Sequence, residues 1–140
     1  HSGEDLLVLN AFLKVREEYP NALLWLAPRH PKRSDAILTL IAAAKLTAIT
    51  RSSGQTMGDA TEILLIDTLG ELPAFMGLAS AVFVGGSLVE HGGHNPLEAL
   101  IFGKPVISGH FTTNFANVYH KQYDSYLEVD KCDQYKCDGC

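Results

Sequence analysis

The 140-residue chain has 46% hydrophobic and 19% charged residues and a net charge of −5, enough to fill one domain core and neither disordered nor membrane-spanning in composition. The acidic balance argues against a broad grip on nucleic acid, which needs a basic surface, but leaves room for a local basic pocket for one phosphate. No apolar run approaches the ~20 residues of a spanning helix, and the opening His1-Ser2-Gly3-Glu4-Asp5 shows neither a signal peptide nor an initiator Met, so the chain reads as a piece of a longer protein.

In chain order, Ser2 and Asp5 form a capping-box pattern and Leu6, Leu9 and Leu13 follow at helical spacing, which predicts a first helix over about 3–18. Leu23 to Ala27 is a short apolar run between Pro20-Asn21 and Pro28 and reads as a buried strand. A second helix starts near Ser34 and runs through the Ala42–Ala44 stretch, Thr47 to Thr50 is a short strand, and the polar Arg51 to Thr61 is a loop. Ile63 to Ile66 is the next strand, Leu69 to Leu78 a short helix, and Ala81 to Val84 a strand that stops at Gly85-Gly86. After a glycine-rich loop, Asn95-Pro96-Leu97-Glu98 opens a helix with proline at its first position and Glu98 three residues past the cap. Val106-Ile107 is a strand, and Asn114 to Lys121 begins a last helix.

Apolar strands without polar alternation are buried on both faces, and strands interleaved with helices pair in parallel through right-handed crossovers. The predicted fold is α/β, a doubly wound parallel sheet, whose ligands sit beyond the carboxyl ends of the strands. The loops after Ala27, Ile66, Val84 and Ile107 are therefore the candidate site. Residues 1–121 form this body. Residues 122–140 hold Cys132, Cys137 and Cys140, show little helical or strand period, and read as a separate tail outside the fold. The spacing Cys132-x4-Cys137-x2-Cys140 is that of a plant-type iron–sulfur site short of its fourth cysteine. A body without cysteine suits a reducing compartment.

Four loops carry chemistry. In Pro28-Arg29-His30-Pro31, two prolines stiffen the chain and Arg29 offers fixed donors suited to phosphate, or else pairs with a surface carboxylate. Asp67-Thr68-Leu69-Gly70-Glu71-Leu72 is either a capped helix start or a turn whose backbone at Leu69 and Gly70 meets a flat base edge. From Gly85 to Glu98, four glycines permit tight turns beside a ligand, and the helix that follows offers free N–H groups to an anion. Glu98 either accepts bonds from a ribose diol or caps its own helix. His91 and His94 have a metal-like spacing but no third ligand, so no metal site is expected, and His94 reads as a loop-fixing or phosphate-contacting residue. Gly109 to Phe115 either closes one side of the pocket or is an ordinary helix start capped by Asn or Thr.

At these motifs the chain resembles the C-terminal domain of the 3-deoxy-manno-octulosonic acid (Kdo) transferases. The matching pieces are Pro28-Arg29-His30-Pro31, Ile49-Thr50-Arg51-Ser52-Ser53-Gly54, Asp67-Thr68-Leu69-Gly70-Glu71-Leu72, Val84-Gly85-Gly86-Ser87-Leu88-Val89 and Gly92-Gly93-His94-Asn95-Pro96-Leu97-Glu98. His1-Ser2-Gly3-Glu4 also resembles the start of that domain. The resemblance covers most of residues 1–120. It departs at His110, where the family has proline, and stops after about Lys121.

The resemblance implies a GT-B glycosyltransferase, two Rossmann-like domains of which this is the C-terminal, donor-binding one. Its donor substrate is CMP-Kdo, with no separate cofactor and no metal. By resemblance, CMP contacts fall on Pro28 and Arg29, on Leu69, Gly70 and Glu71, and on Asn95, Pro96, Leu97 and Glu98. The family's catalytic base is a glutamate in the N-terminal domain, so no residue of this chain is assigned a catalytic role and the isolated chain is expected to be inactive. The acceptor, a lipid A precursor, is reached through that other domain at the cytoplasmic face of the bacterial inner membrane. Two rival readings remain: a non-catalytic nucleotide-binding module, and a GT-B enzyme using another nucleotide sugar.

Overall fold

The computed structural model describes residues 3–121 and 126–129, with side chains for residues 3–119. The chain divides into two compact units, His1–Leu72 and Pro73–Cys140.

The first unit contains α1 (Glu4–Glu18), β1 (Leu24–Leu26), α2 (Ser34–Ala43), β2 (Ala48–Thr50) and β3 (Ile63–Leu65). Its three strands are parallel in the order β1-β3-β2, with Leu24 and Ala48 both opposite Ile63. The helical crossover between β1 and β2 permits this parallel arrangement, and it leaves β3 central and buried along its length. Leu9 and Phe12 of α1 pack with Ile37 and Ile41 of α2 against Ile63 and Leu65, which share one face of β3. The end of α1 is tied down by Arg16, which donates to the Ala22 carbonyl (2.8 Å) and pairs with Glu62 (3.2 Å). Its start is held by Asp5, which receives the Arg33 guanidinium.

The second unit takes in α3 (Leu72–Leu78) from Pro73 onward, then β4 (Val82–Val84), α4 (Leu97–Ile101), β5 (Val106–Gly109), α5 (Ala116–Lys121) and β6 (Tyr126–Val129). Its strands are also parallel, in the order β4-β5-β6. Val84, Ala99 and Val106 form its core, with Met76, Val82 and Leu100 packed against them. Both α3 and α4 therefore cover the same face of the sheet.

The helices and strands expected from sequence lie where expected to within a few residues, and the strands are parallel. Three differences have physical causes. The helix expected from Leu69 begins at Leu72, because Gly70 adopts φ +82° and breaks the turn. The helix expected from Asn95 begins at Leu97, after Pro96 has already taken helical angles. A strand at Tyr126–Val129 was not foreseen: it lies within residues 122–140, expected from sequence to be a tail outside the fold, and pairs in parallel with β5. The Ser2 part of the capping box lies outside the described residues, as do Cys132, Cys137 and Cys140.

Helix α2 ends in a Schellman motif: Lys45 N–H bonds Ala42 and Leu46 N–H bonds Ile41. Lys45 sits there at φ +57°, a conformation that costs an L side chain about 1 kcal/mol. Lys45→Gly is expected to raise stability by roughly that amount less the added unfolded-chain entropy. Urea denaturation measures it, and a loss of stability would contradict the strained-cap assignment.

Candidate functional site

In the first unit, three loops leave the carboxyl edge of one sheet, and the strand order places the loop after β3 between the other two. Pro28 and the exposed Arg29 follow β1. Arg51 to Ser53 follow β2 as a single 3-10 turn. Asp67 to Glu71 follow β3. The structure thus brings Pro28, Arg29, Leu69, Gly70 and Glu71 to the same sheet edge.

The second and third of these loops are latched. Arg51 donates to Glu71 Oε1 from Nε (3.2 Å) and from a terminal nitrogen (2.7 Å). Thr68 Oγ1 donates to the other oxygen of Glu71. Ser52 donates to Asp67 through its backbone N–H (2.9 Å) and its hydroxyl. The Thr68 hydrogen bond and then the Arg51 interaction hold Glu71 below its ordinary pKa. Burial pushes Asp67 up, but the Ser52 bonds outweigh it and the net shift is downward. The Glu71 carboxylate is thus committed within the protein, which leaves backbone groups to face a ligand. Leu69, at the apex beside Gly70, is 82% exposed.

In the second unit, the loop from Gly85 to His94 folds back on the end of β4: Gly93 N–H bonds the Gly86 carbonyl and His94 N–H bonds Gly85. Ser87, fully buried, donates to the Val84 carbonyl (2.6 Å) and accepts from Gly109 N–H (2.8 Å). A Cβ at Gly109 would lie 2.6 Å from the Ser87 carbonyl carbon, so only glycine permits this approach. Asn114 closes the loop from outside. Its backbone N–H bonds the Gly92 carbonyl, and its side-chain amide donates to His91 (3.0 Å) and Gly93 (3.4 Å). Asn114 thus braces the loop, a role beside the two that sequence left open for this segment, closing the pocket or starting a helix capped by Asn or Thr.

Asn95, Pro96, Leu97 and Glu98 issue directly from this braced loop. Asn95 Oδ1 accepts the Leu97 N–H (3.0 Å), so Asn95 caps the turn. Glu98 is exposed in the first turn of α4, whose N-cap Pro96 makes no side-chain cap bond. Because α4 has only five residues its dipole is small, and local N–H groups matter more than the macrodipole. The His91 and His94 rings stand edge to face, 5.9 Å apart, and among the described residues no group of three or more His, Cys, Asp or Glu could hold a metal ion.

Arg51, Ser52, Ser87 and Asn114 hold the loops in place, a bracing role that sequence reading gave to none of them, although Asn114 was a candidate helix cap and the other three lay within motifs of the resemblance. The signal for bracing was position: each lies in a loop at the carboxyl end of a strand.

No protein-family model matches the chain. The chain is 44% identical over 132 residues to the 3-deoxy-D-manno-octulosonic acid transferase of Haemophilus influenzae, covering 93% of this chain and 31% of that protein. It is 40% identical over 117 residues to the enzyme of the same name from Bordetella pertussis, covering 81% of this chain and 27% of that protein. The chain thus spans about a third or less of the curated relatives it matches. Among solved structures it resembles the C-terminal CMP-Kdo binding domain of WaaA from Acinetobacter baumannii, with TM-score 0.86 and 31% identity, covering 92% of this chain and 68% of that one.

Two outcomes test this geometry. Because Asp67 and Glu71 are depressed in the folded state, their contribution is full above the unfolded values of about 4 and is lost as pH falls through the lower folded values. Melting temperature should therefore drop on acidification below about pH 4, and less steeply in Arg51→Met; identical acid limbs would mean that Arg51 does not hold Glu71. Gly109→Ala should cost about 1–3 kcal/mol by overpacking, whereas Gly58→Ala, with nothing within 4 Å of an added Cβ, should be near neutral in the same urea titrations.

Proposed function

This chain belongs to the 3-deoxy-D-manno-octulosonic acid transferase family, and from that premise we propose that it is the donor-binding part of an enzyme that transfers Kdo from CMP-Kdo to a lipid A precursor. The observation that carries the reading is the match across almost the whole chain to a CMP-Kdo binding domain, with 31% of residues identical. The loop residues named by resemblance are proposed as the nucleotide contacts. They are Pro28, Arg29, Leu69, Gly70 and Glu71 in the first unit and Asn95, Pro96, Leu97 and Glu98 in the second. Residues 1–121 are proposed as the incomplete donor-binding body, with β6 extending its second sheet.

In the reaction, an acceptor hydroxyl attacks the anomeric carbon of Kdo while the phosphate of CMP leaves. This chain's task is to hold the nucleotide and stabilise the leaving phosphate. The Arg29 guanidinium and the backbone N–H groups of Asn95 and Glu98 are the proposed donors, since Pro96 has no N–H and that of Leu97 is taken by Asn95 Oδ1. Glu98, exposed in the first turn of α4, is the proposed acceptor for the ribose diol. The base that activates the acceptor is assigned to the N-terminal domain of the family. The acceptor, the cytoplasmic face of the inner membrane and the absence of a cofactor are parts of the same proposal. No helix among the described residues is long and apolar enough to cross a membrane.

One titration tests the reading. CMP at a hundredfold excess over its dissociation constant should stabilise the folded chain by about 2.7 kcal/mol, and UMP should compete poorly. 2′,3′-Dideoxy-CMP should bind worse than CMP, and Glu98→Gln should lose ~1–3 kcal/mol of CMP binding while shrinking that preference and leaving stability almost unchanged. A folded chain indifferent to CMP would sink the donor assignment. Tighter binding of UMP would favour another nucleotide sugar.

A further inference from the structure

Asn114 lies outside every residue assigned to the nucleotide, yet it braces the loop that delivers Glu98. Its backbone and amide make three bonds to consecutive residues: to His91 and Gly93 from the side chain, and to Gly92 from the backbone. The fit is close enough that a Cβ on Gly92 would fall 2.5 Å from Asn114 Nδ2 and 2.7 Å from Oδ1. Gly92 and Gly93 both adopt positive φ, +85° and +77°. Such a turn has few bonds of its own, and a partner from another loop must fix it. On its inner side Gly93 and His94 are tied to Gly86 and Gly85. The segment is therefore held from two sides immediately before Asn95, whose side chain sets the Leu97 turn and with it the direction in which Glu98 leaves the backbone.

We infer that Asn114 is a positioning residue for Glu98: its amide clamps the Gly92-Gly93 turn and so sets where the Glu98 carboxylate meets the ribose diol. The inference deepens the donor-site reading and rests on it. An amide is required because His91 and Gly93 present carbonyl oxygens to it, and a carboxylate of the same shape donates nothing to them; the bond to Gly92 comes from the backbone and survives a change of side chain. The geometric demand is strict, since a binding constellation must be held within about 0.5 Å of its productive geometry.

The test is the preference for CMP over 2′,3′-dideoxy-CMP, measured by calorimetry on the 140-residue chain. This ratio is independent of how much of a variant is folded, because the unfolded chain binds neither ligand, so a loss of stability alone does not move it. Asn114→Asp keeps shape and packing against Gly92 but removes the amide donors; Asn114→Ala removes both. Each should lower the ratio severalfold, approaching Glu98→Gln. In the Glu98→Gln background, adding Asn114→Asp should lower it no further, because the two changes act on one contact. A wild-type ratio in both Asn114 variants would overturn the inference alone, as would full additivity in the double variant. A wild-type chain that binds CMP without preferring it over the dideoxy form would overturn the ribose role of Glu98, and the inference with it.

Discussion

The Ser87 hydroxyl serves the ends of two parallel strands at once. It donates to the carbonyl of Val84, the last residue of β4, and accepts the N–H of Gly109, the last residue of β5. Parallel strands end side by side, but nothing in the ladder holds the chain beyond them. A buried group satisfied on both sides is costly to disturb, since breaking it leaves an unpaired polar atom in the interior. The glycine-rich loop, the Asn114 brace and the start of α4 are all built outward from that junction. Gly109 is part of the same constraint, because the Ser87 backbone occupies the space a side chain would need.

The first unit solves a similar problem with charge. The loop after its central strand carries Asp67 and Glu71, and the loop after β2 supplies Ser52 and Arg51 to receive them. These groups are partly exposed, so each pair contributes little by itself to stability. Their value is geometric: two bonds to Asp67 and three to Glu71 hold a turn whose apex, Leu69-Gly70, stands out in solvent. A loop fixed by its neighbours in this way is pre-organised without being buried.

Much of this was legible in the amino-acid order. Leu9 and Phe12, Ile37 and Ile41, and Ile63 and Leu65 carry the helical and strand periods that place them in one core. The proline and glycine positions marked the loops. Boundaries were less legible where one residue's conformation decided them. Gly70 delays α3, and nothing in its neighbourhood distinguishes a glycine tolerated in a helix from one that breaks it. The strand at Tyr126–Val129 was not legible because a four-residue run carries too little period to be read alone, and its pairing with β5 is a long-range contact. The candidate site was legible as a set of loops, and the motif resemblance supplied the individual contacts proposed within them.

The sequence by itself determined the alternation of helices and strands, the parallel pairing that follows from it, and the loops that must lie at the carboxyl ends of the strands. These depend on local periodicity and on residues that restrict or free the backbone. Only the tertiary structure decided which side chains hold those loops. Arg51 and Glu71 are 20 residues apart, and Asn114 and His91 are 23 apart. No pattern within a loop announces such a partner. The parallel register brings the strand ends together, and then whichever donor lies opposite a committed acceptor becomes the brace.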